Sequence, residues 1–316
     1  MISIILVNYN RFDLTLNCIK SIYEYSKVGT FEIIVVDNNS SLGSSTEIEE
    51  RFPDVKWIKN DKNLGFAYAN NQGIKIAKGD FVLLLNNDTL LIEDTLSLVI
   101  DYYKNLSKPA LIGCKLLNAD GSFQVSIADF DNITNLFGEN LFLYKIFPFN
   151  KRINRFVENY VNINEPKKVD IIKGAFIFGE KKYFDLLEGF DSRFYFYSEE
   201  SDLCKRFKDL YGDVIYFPLT KIIHFGGATT ETIPWFSLKN LSIGKVQYFQ
   251  KHFSGFYFSI ALLIHFLGIA VRVPIYLIYG ILKLNKHDIR RSWLYFRLLF
   301  VYPKNKFTKM TVVEKK

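Results

Sequence analysis

Three short clusters carry side chains that a folded core has no use for. The first is FVLLLNNDTLL, residues 81–91, where Asn86, Asn87 and Asp88 interrupt an apolar run. A carboxylate flanked by polar groups at a strand end can hold a divalent cation. Mg2+ or Mn2+ needs only one or two protein carboxylates when phosphate oxygens and water complete its shell. The second is SEESDLCKR, residues 198–206, which crowds Glu199, Glu200 and Asp202 into the first turn of a helix. Acids at that end are favoured by the helix dipole, and Asp202 is spaced to pair with Arg206 one turn on. Three acids so close also repel, which raises the pKa of at least one of them and suits it to general-base work. The third is His224 in IIHFGGA, a strand-end imidazole before two glycines. A neutral ring there can complete a metal's coordination. Each cluster also has an ordinary explanation, as a turn, a helix start or a buried histidine.

Such side chains need a scaffold that gathers them. ISIILV (2–7) and FEIIVVD (31–37) are continuous apolar runs rich in β-branched residues, the pattern of strands buried on both faces of a parallel sheet. Leu14, Leu16, Ile19, Ile22 and Tyr23 recur at helical spacing over 12–26. The same reading predicts strands at 55–60, 80–85 and 110–114 and helices at 43–52, 66–78 and 92–105. Alternating strands and helices with short links predict an α/β fold with a Rossmann-like, mostly parallel central sheet flanked by helices. Ligands bind beyond the carboxyl ends of such strands. Each of the first four exits is polar: Asn8-Tyr9-Asn10, Asp37-Asn38-Asn39-Ser40, Asn60 to Asn63, and Asn86 to Asp88. Residues 115–168 are less regular. Beyond them come a strand broken at Gly174, helices at 180–187 and 199–211, and strands at 213–217 and 221–225.

The chain has 316 residues, of which 49% are hydrophobic, enough for a sizeable core and too many for a disordered protein. Net charge is +7 but uneven: residues 239–316 hold 14 Lys/Arg against two acids, and residues 1–238 sum to −5. A basic tail interleaved with long apolar runs points to an anionic membrane surface rather than nucleic acid. Cys18, Cys114 and Cys204 have no metal-ligand spacing and read as free thiols in a reducing compartment. MISIILVNYN reads as a strand, not a signal peptide, so the globular part is expected in the cytoplasm.

Seven segments in order, IILVNYNR, IIVVDNNS, NLGFAYANNQGI, GDFVLLLNND, KGAFIF, GFDSRFYFYSEESDLCKR and HFGG, carry a resemblance. Over residues 1 to about 230 the chain resembles the inverting family 2 glycosyltransferases of the GT-A fold, in particular their bacterial rhamnosyltransferase-like branch. The resemblance implies donor contacts from Val7, Asn8, Tyr9, Asp37 and Asn39 to the nucleoside, with Asp37 accepting from the imino N–H of a UDP- or dTDP-type donor. It implies Asn63, Gly65, Phe66, Ala67 and Asn70 around the ribose and diphosphate, and Asn86, Asn87 and Asp88 in the metal-binding stretch. The family's DxD motif has Asn86 in place of its first acid, so Asp88 would carry Mg2+ or Mn2+ with His224. Gly174, Ala175 and Asp202 would lie on the acceptor side. Glu200 matches the catalytic base of the family's ED-x-D motif, with Glu199 as the neighbouring candidate. The implied activity is transfer of a sugar from a nucleotide-sugar to a glycan or lipid-linked glycan acceptor, as in cell-surface polysaccharide synthesis. The rival expectation is an inactive relative that binds sugar nucleotide as a scaffold at the membrane.

Residues 1–235 are expected to form the catalytic domain, with a nucleotide-binding half (1–114) and an acceptor half (115–235), and 236–316 a helical extension. In that extension, FYFSIALLIHFLGIAV (256–271) and IYLIYGIL (275–282) are separated by Arg272 and Pro274. They predict two short helices in or dipping into the interface at the inner face of the cell membrane, with Lys283, Lys286, Arg290, Arg291 and Arg297 towards lipid phosphates.

Overall fold

The apolar runs at the start of the chain become the centre of one sheet. In the computed structural model, residues 1–160, 163–226 and 234–301 are described. Gly227 of the HFGG segment and the last basic stretch, 302–316, lie outside the described residues. The chain divides into two compact units, residues 1–130 with 158–232, and residues 131–157 with 233–316.

The first unit begins β1 (Ile2–Asn8), α1 (Phe12–Tyr25), β2 (Phe31–Asp37), α2 (Thr46–Arg51), β3 (Lys56–Lys59), α3 (Phe66–Ile76), β4 (Phe81–Asn86), β5 (Thr89–Leu91), α4 (Thr95–Lys104), β6 (Ala110–Leu117), β7 (Phe123–Gln124) and β8 (Ile127–Ala128). The second unit's α5 (Ile133–Asn140) and α6 (Leu143–Ile146) intervene. The first unit resumes with β9 (Lys167–Val169), β10 (Ile171–Ile172), β11 (Phe176–Glu180), α7 (Lys181–Leu186), α8 (Glu199–Leu210) and β12 (Asp213–His224). The main sheet runs β3-β2-β1-β4-β11-β6-β12-β5, with β7 on β6 and β9 on β12. The first four strands of that order are parallel, so all four polar exits open on one edge. β11 is antiparallel to β4, which brings the start of β11 to the same edge.

The core explains the strand reading. Ile2, Ile4, Leu6, Ile33, Val35, Leu83 and Leu85 are buried on one face with α1 and α4, and Ile5, Ile34, Val36 and Leu84 are buried on the other. On that second face a Cβ added to Gly73 of α3 would stand 2.5 Å from the Ile5 side chain, so α3 can lie this close only through a glycine. The expected α/β architecture is the one observed. Two details differ. The expected strands at 213–217 and 221–225 are one strand, β12, which keeps its pairing with β6 through an irregularity between Phe217 and Lys221. The helix expected from 92 starts at Thr95, where Asp94 caps it by accepting from Ser97 N, and Thr89–Leu91 before it pair with β12. All three cysteines are free and buried.

In the second unit, α9 (Pro234–His252), α10 (Gly255–Leu282) and α11 (Lys286–Leu298) follow α5 and α6. The two short helices expected at 256–271 and 275–282 are a single helix of 28 residues. Arg272 does not interrupt it because its guanidinium is satisfied: it donates to the carbonyls of Gly268 (2.8 Å), Asn140 (3.0 Å) and Glu139 (3.0 Å) and lies over the Phe142 ring. Pro274 lacks an N–H, yet α11 splints the helix there, with Ser292 Oγ donating to Val273 O at 2.8 Å and Tyr295 stacked on Tyr276. Glu139 and Lys245 form an ion pair of 2.7 Å in the same unit. The surrounding cations Lys245, Arg155 and Arg272 overcome the effect of burial and hold the Glu139 carboxyl down at about 2.

Candidate active site

β1 and β2 end in a hydrogen-bonded floor. Asn8 is fully buried; its Nδ2 donates to Asp37 Oδ1 (2.8 Å) and Ser40 Oγ (3.1 Å), and its Oδ1 accepts from Thr15 Oγ1 (2.9 Å). Ser40 caps Asp37 with its backbone N–H and its hydroxyl. Asn10 and Asn39 sit at φ 57 and 66, the left-handed turn conformation that asparagine tolerates. Asn10 Oδ1 also accepts from the N–H groups of Ser41 and Leu42. Val7 is half-buried, and Tyr9 and Asn39 are exposed at the rim.

Asn38, absent from the expected set, ties β2 to the next loop. Its Nδ2 donates to Asn63 Oδ1 (2.9 Å), and its Oδ1 accepts from Asn60 Nδ2 (3.1 Å) and Leu64 N (3.0 Å). Gly65 then starts α3 at φ 88, and an added Cβ would stand 2.6 Å from Tyr195 O. Phe66 N donates to that same oxygen at 3.0 Å. Ala67 and Asn70 are buried, Asn70 Nδ2 bonding back to Phe66 O. They support the start of α3 from beneath. Asn71 exchanges two hydrogen bonds with the backbone of Phe190, fixing the 190–196 loop over α3.

At the end of β4 the three polar residues separate in role. Asn87 turns its amide inward, donating to Thr15 Oγ1 (2.8 Å) and Asn8 Oδ1 (3.3 Å). Asn86 and Asp88 face His224. The register explains this meeting: β5 pairs with β12 so that Thr89 opposes His224. His224 Nε2 stands 3.3 Å from Asp88 Oδ1 and 3.2 Å from Asn86 Nδ2, and the His224 and Asp88 side chains are both largely enclosed. Its Nδ1 is 2.6 Å from Gln124 Oε1. Gln124 Nε2 is committed as donor to Asn118 Oδ1 (2.9 Å) and His224 O (3.0 Å), so the oxygen must be the atom facing the ring. Nδ1 therefore carries the proton and donates, which leaves Nε2 as an acceptor for Asn86 Nδ2, with the Asp88 carboxylate beside it. Two electron-rich atoms 3.3 Å apart repel; a positive charge between them, a proton or a metal ion, relieves it. Asn86 Oδ1 is also buried with no hydrogen-bond partner. An imidazole, a carboxylate and an orphaned amide oxygen form a donor set that fits a divalent ion whose remaining ligands are phosphate and water. Among the described residues no third His, Cys, Asp or Glu joins this pair. Arg11, bonded to Asp13 at 3.1 Å, also feels the Asp88 charge and is a cation that the expected set omitted.

The acids of α8 occupy the other side of the same edge. Asn86 N donates to Ala175 O at 3.1 Å, and the Cβ of Glu200 would lie 3.7 Å from a Cβ built on the neighbouring Gly174. Ala175 itself is buried. Tyr197 and Ser198, at φ 72 and 71, turn the chain into α8 through two successive left-handed residues, a conformation costing of order 1–3 kcal/mol each. Glu199 is buried. Burial first, and the charge of Glu200 second, push its carboxyl well above the usual carboxylate range, with Lys173 opposing in part. Oε2 of Glu199 and Oε2 of Glu200 are both buried without a hydrogen-bond partner. Asp202, expected on the acceptor side, is fully buried and bonded to Arg206 Nε at 2.8 Å. Arg206 in turn donates to Leu187 O and Gly189 O, each at 2.8 Å, so this acid braces a turn.

Comparison with known proteins bears on the family and the fold. The chain matches the sequence model of "Glycosyl transferase family 2" over residues 3–162. It is 24% identical over 241 residues to the "O-antigen biosynthesis protein RfbC" of Myxococcus xanthus, covering 74% of this chain but only 18% of that protein. It is 22% identical over 213 residues to the "N-acetylglucosaminyl-diphospho-decaprenol L-rhamnosyltransferase" of Mycobacterium tuberculosis, covering 64% of this chain and 69% of the relative. In structure it is similar to the mannosyltransferase PcManGT of Pyrobaculum calidifontis, solved in complex with GDP-Man and Mn2+ (TM-score 0.55, 13% identity, 94% of this chain and 84% of that one). It is similar as well to GalNAc-T7, solved with UDP, GalNAc and Mn2+ (TM-score 0.52, 15% identity, 71% and 43%). At these identities the structural likeness speaks for the fold, the GT-A arrangement.

Proposed function

The chain belongs to glycosyl transferase family 2, and from that premise we propose that it moves a sugar, with inversion, from a nucleotide-sugar to a hydroxyl of a glycan or lipid-linked glycan in cell-surface polysaccharide synthesis. The observation that carries this reading is the pairing of two half-sites across one sheet edge. Asp88 and His224 stand on one side, and two carboxyls with orphaned oxygens stand beside Gly174 on the other. A rhamnosyl donor is favoured by the name of one sequence relative, the L-rhamnosyltransferase of Mycobacterium tuberculosis.

The residues divide the work. Asp37, held rigid by Asn8 and Ser40, offers Oδ2 to the imino N–H of a pyrimidine base. Tyr9 and Asn39 line the nucleoside from the rim, and Asn63, Gly65 and Phe66 face the ribose and diphosphate. Asp88 and His224 would hold a divalent ion, whose charge would offset the negative charge developing on the departing diphosphate. The mixed oxygen and nitrogen donors suit Mn2+ better than Mg2+. Arg11 adds positive charge on that side. On the acceptor side Glu199 stays towards its protonated form, so Glu200 is the carboxylate that accepts the acceptor hydroxyl's proton. The oxygen then attacks the anomeric carbon opposite the nucleotide, and one base suffices.

The second unit supplies a site of attachment to lipid. α10 is the one helix, among the described residues, long and apolar enough to cross a membrane. Phe256, Tyr257, Leu263, Leu267, Ile278 and Leu282 are exposed on it. Lys283, Lys286, Arg290, Arg291 and Arg297 follow, an arrangement that matches an anionic leaflet. We place this unit at the cytoplasmic membrane face, where a lipid-linked acceptor is within reach.

The deciding experiment screens sugar nucleotides for Mn2+-dependent thermal stabilisation, then measures transfer from the best donor. Glu200→Gln is expected to keep the stabilisation and lose transfer by roughly 100-fold or more. Full transfer by Glu200→Gln removes Glu200 from the mechanism.

A further inference from the structure

We infer that Gln124 is a positioning residue for the metal half-site, selecting the tautomer of His224 that keeps the ring proton off Nε2, the nitrogen beside Asp88 and Asn86. This deepens the reading of Asp88 and His224 as metal ligands and rests on it. The sheet brings the two residues together from far apart in sequence. Gln124 lies on β7 opposite Leu116 of β6, and the same stretch of β6 runs beside Ile222 and Ile223 of β12, just before His224. From there its side chain makes a closed set of bonds. Nε2 donates to Asn118 Oδ1 and to the backbone carbonyl of His224, so the amide cannot turn over without losing both. Oε1 is thereby fixed 2.6 Å from His224 Nδ1.

An amide oxygen only accepts, so the ring proton stays on Nδ1. A group bonded to the outer nitrogen of a ligating histidine fixes ring orientation as well as proton position, and its loss typically weakens metal binding by roughly 10–100-fold. Without Gln124 the ring proton can move to Nε2, where it would bond to Asp88 Oδ1 and close the half-site to a cation. Gln124 thus holds the pair in the state that repels itself and attracts an ion.

The chain has four histidines, so ring-15N labelling of the full-length protein in detergent gives a tractable spectrum. Long-range 1H–15N correlation of the metal-free protein is expected to show His224 protonated at Nδ1 and bare at Nε2. Gln124→Leu is expected to lose that state and to bind Mn2+ roughly 10–100-fold more weakly, read from free Mn2+ by electron paramagnetic resonance. Gln124→Glu keeps an oxygen to accept from Nδ1–H and is expected to bind Mn2+ like the parent. An Nε2–H tautomer in the parent overturns the inference, and so does parental Mn2+ affinity in Gln124→Leu. An equal loss in both variants overturns it as well, since that result implicates the Nε2 bonds and plain structure. If Asp88→Ala and His224→Ala leave Mn2+ affinity unchanged, the metal reading itself fails, while the tautomer spectrum still decides the role of Gln124.

Discussion

Replacing Asp202 with Asn separates a structural acid from a chemical one. The carboxylate is fully buried and donates nothing; it accepts from Arg206 Nε at 2.8 Å, and that guanidinium keeps two further bonds to Leu187 O and Gly189 O. Removing one partner of a buried ion pair costs about 3–5 kcal/mol. The Arg206 side chain is 17% exposed and retains its carbonyl acceptors, so the cost falls to or below the bottom of that range, about 2–3 kcal/mol. For a unit of this size each kcal/mol lowers the melting temperature by about 2–4 °C, giving a loss of roughly 4–12 °C. The assay is a thermal melt of Asp202→Asn and Arg206→Leu, singly and combined, with transfer measured well below the melt. The double variant is expected to lose less than the sum of the single ones, because both disrupt the Asp202–Arg206 pair. A variant that melts with the parent but has lost transfer would refute the structural role and return Asp202 to the acceptor side.

Two further outcomes test other parts. Gly65→Ala places a Cβ 2.6 Å from Tyr195 O at φ 88, and is expected to cost about 2–4 kcal/mol and to weaken nucleotide binding, checked by melting and nucleotide titration. A parental melt would mean that the loop moves freely. The full chain is expected to float with vesicles containing anionic lipid and to release less readily from them than from neutral vesicles, measured by flotation at low and high salt. A protein that stays in the soluble fraction with every vesicle would remove the attachment role.

The sheet was readable in the residues because its strands are buried on both faces, so their apolar runs need no partner to be recognised. The pattern does not say which asparagine at a strand exit makes a turn and which meets a ligand. Asn10 and Asn39 adopt left-handed turns, Asn8 and Asn87 brace one another, and only Asn86 is left with an orphaned oxygen. All five look alike in sequence. Asn38 sat one position from an expected residue, whereas Gln124 carried no signal at all, since its partner is 100 residues away and is reached only through β6. Arg272 and Pro274 suggested a break because local rules cannot see the carbonyls of α5 that satisfy the guanidinium.

That guanidinium also sets an order of assembly. α10 has a cation in its interior whose acceptors at Glu139 and Asn140 are supplied by a helix made more than a hundred residues earlier in synthesis. An emerging α10 that met hydrocarbon before α5 was formed would carry a bare charge into it; one that met α5 first would carry a neutralised seam. Biogenesis of this unit should therefore run from the early helix to the late one, and a lesion in α5 should show itself as a failure of α10 to settle.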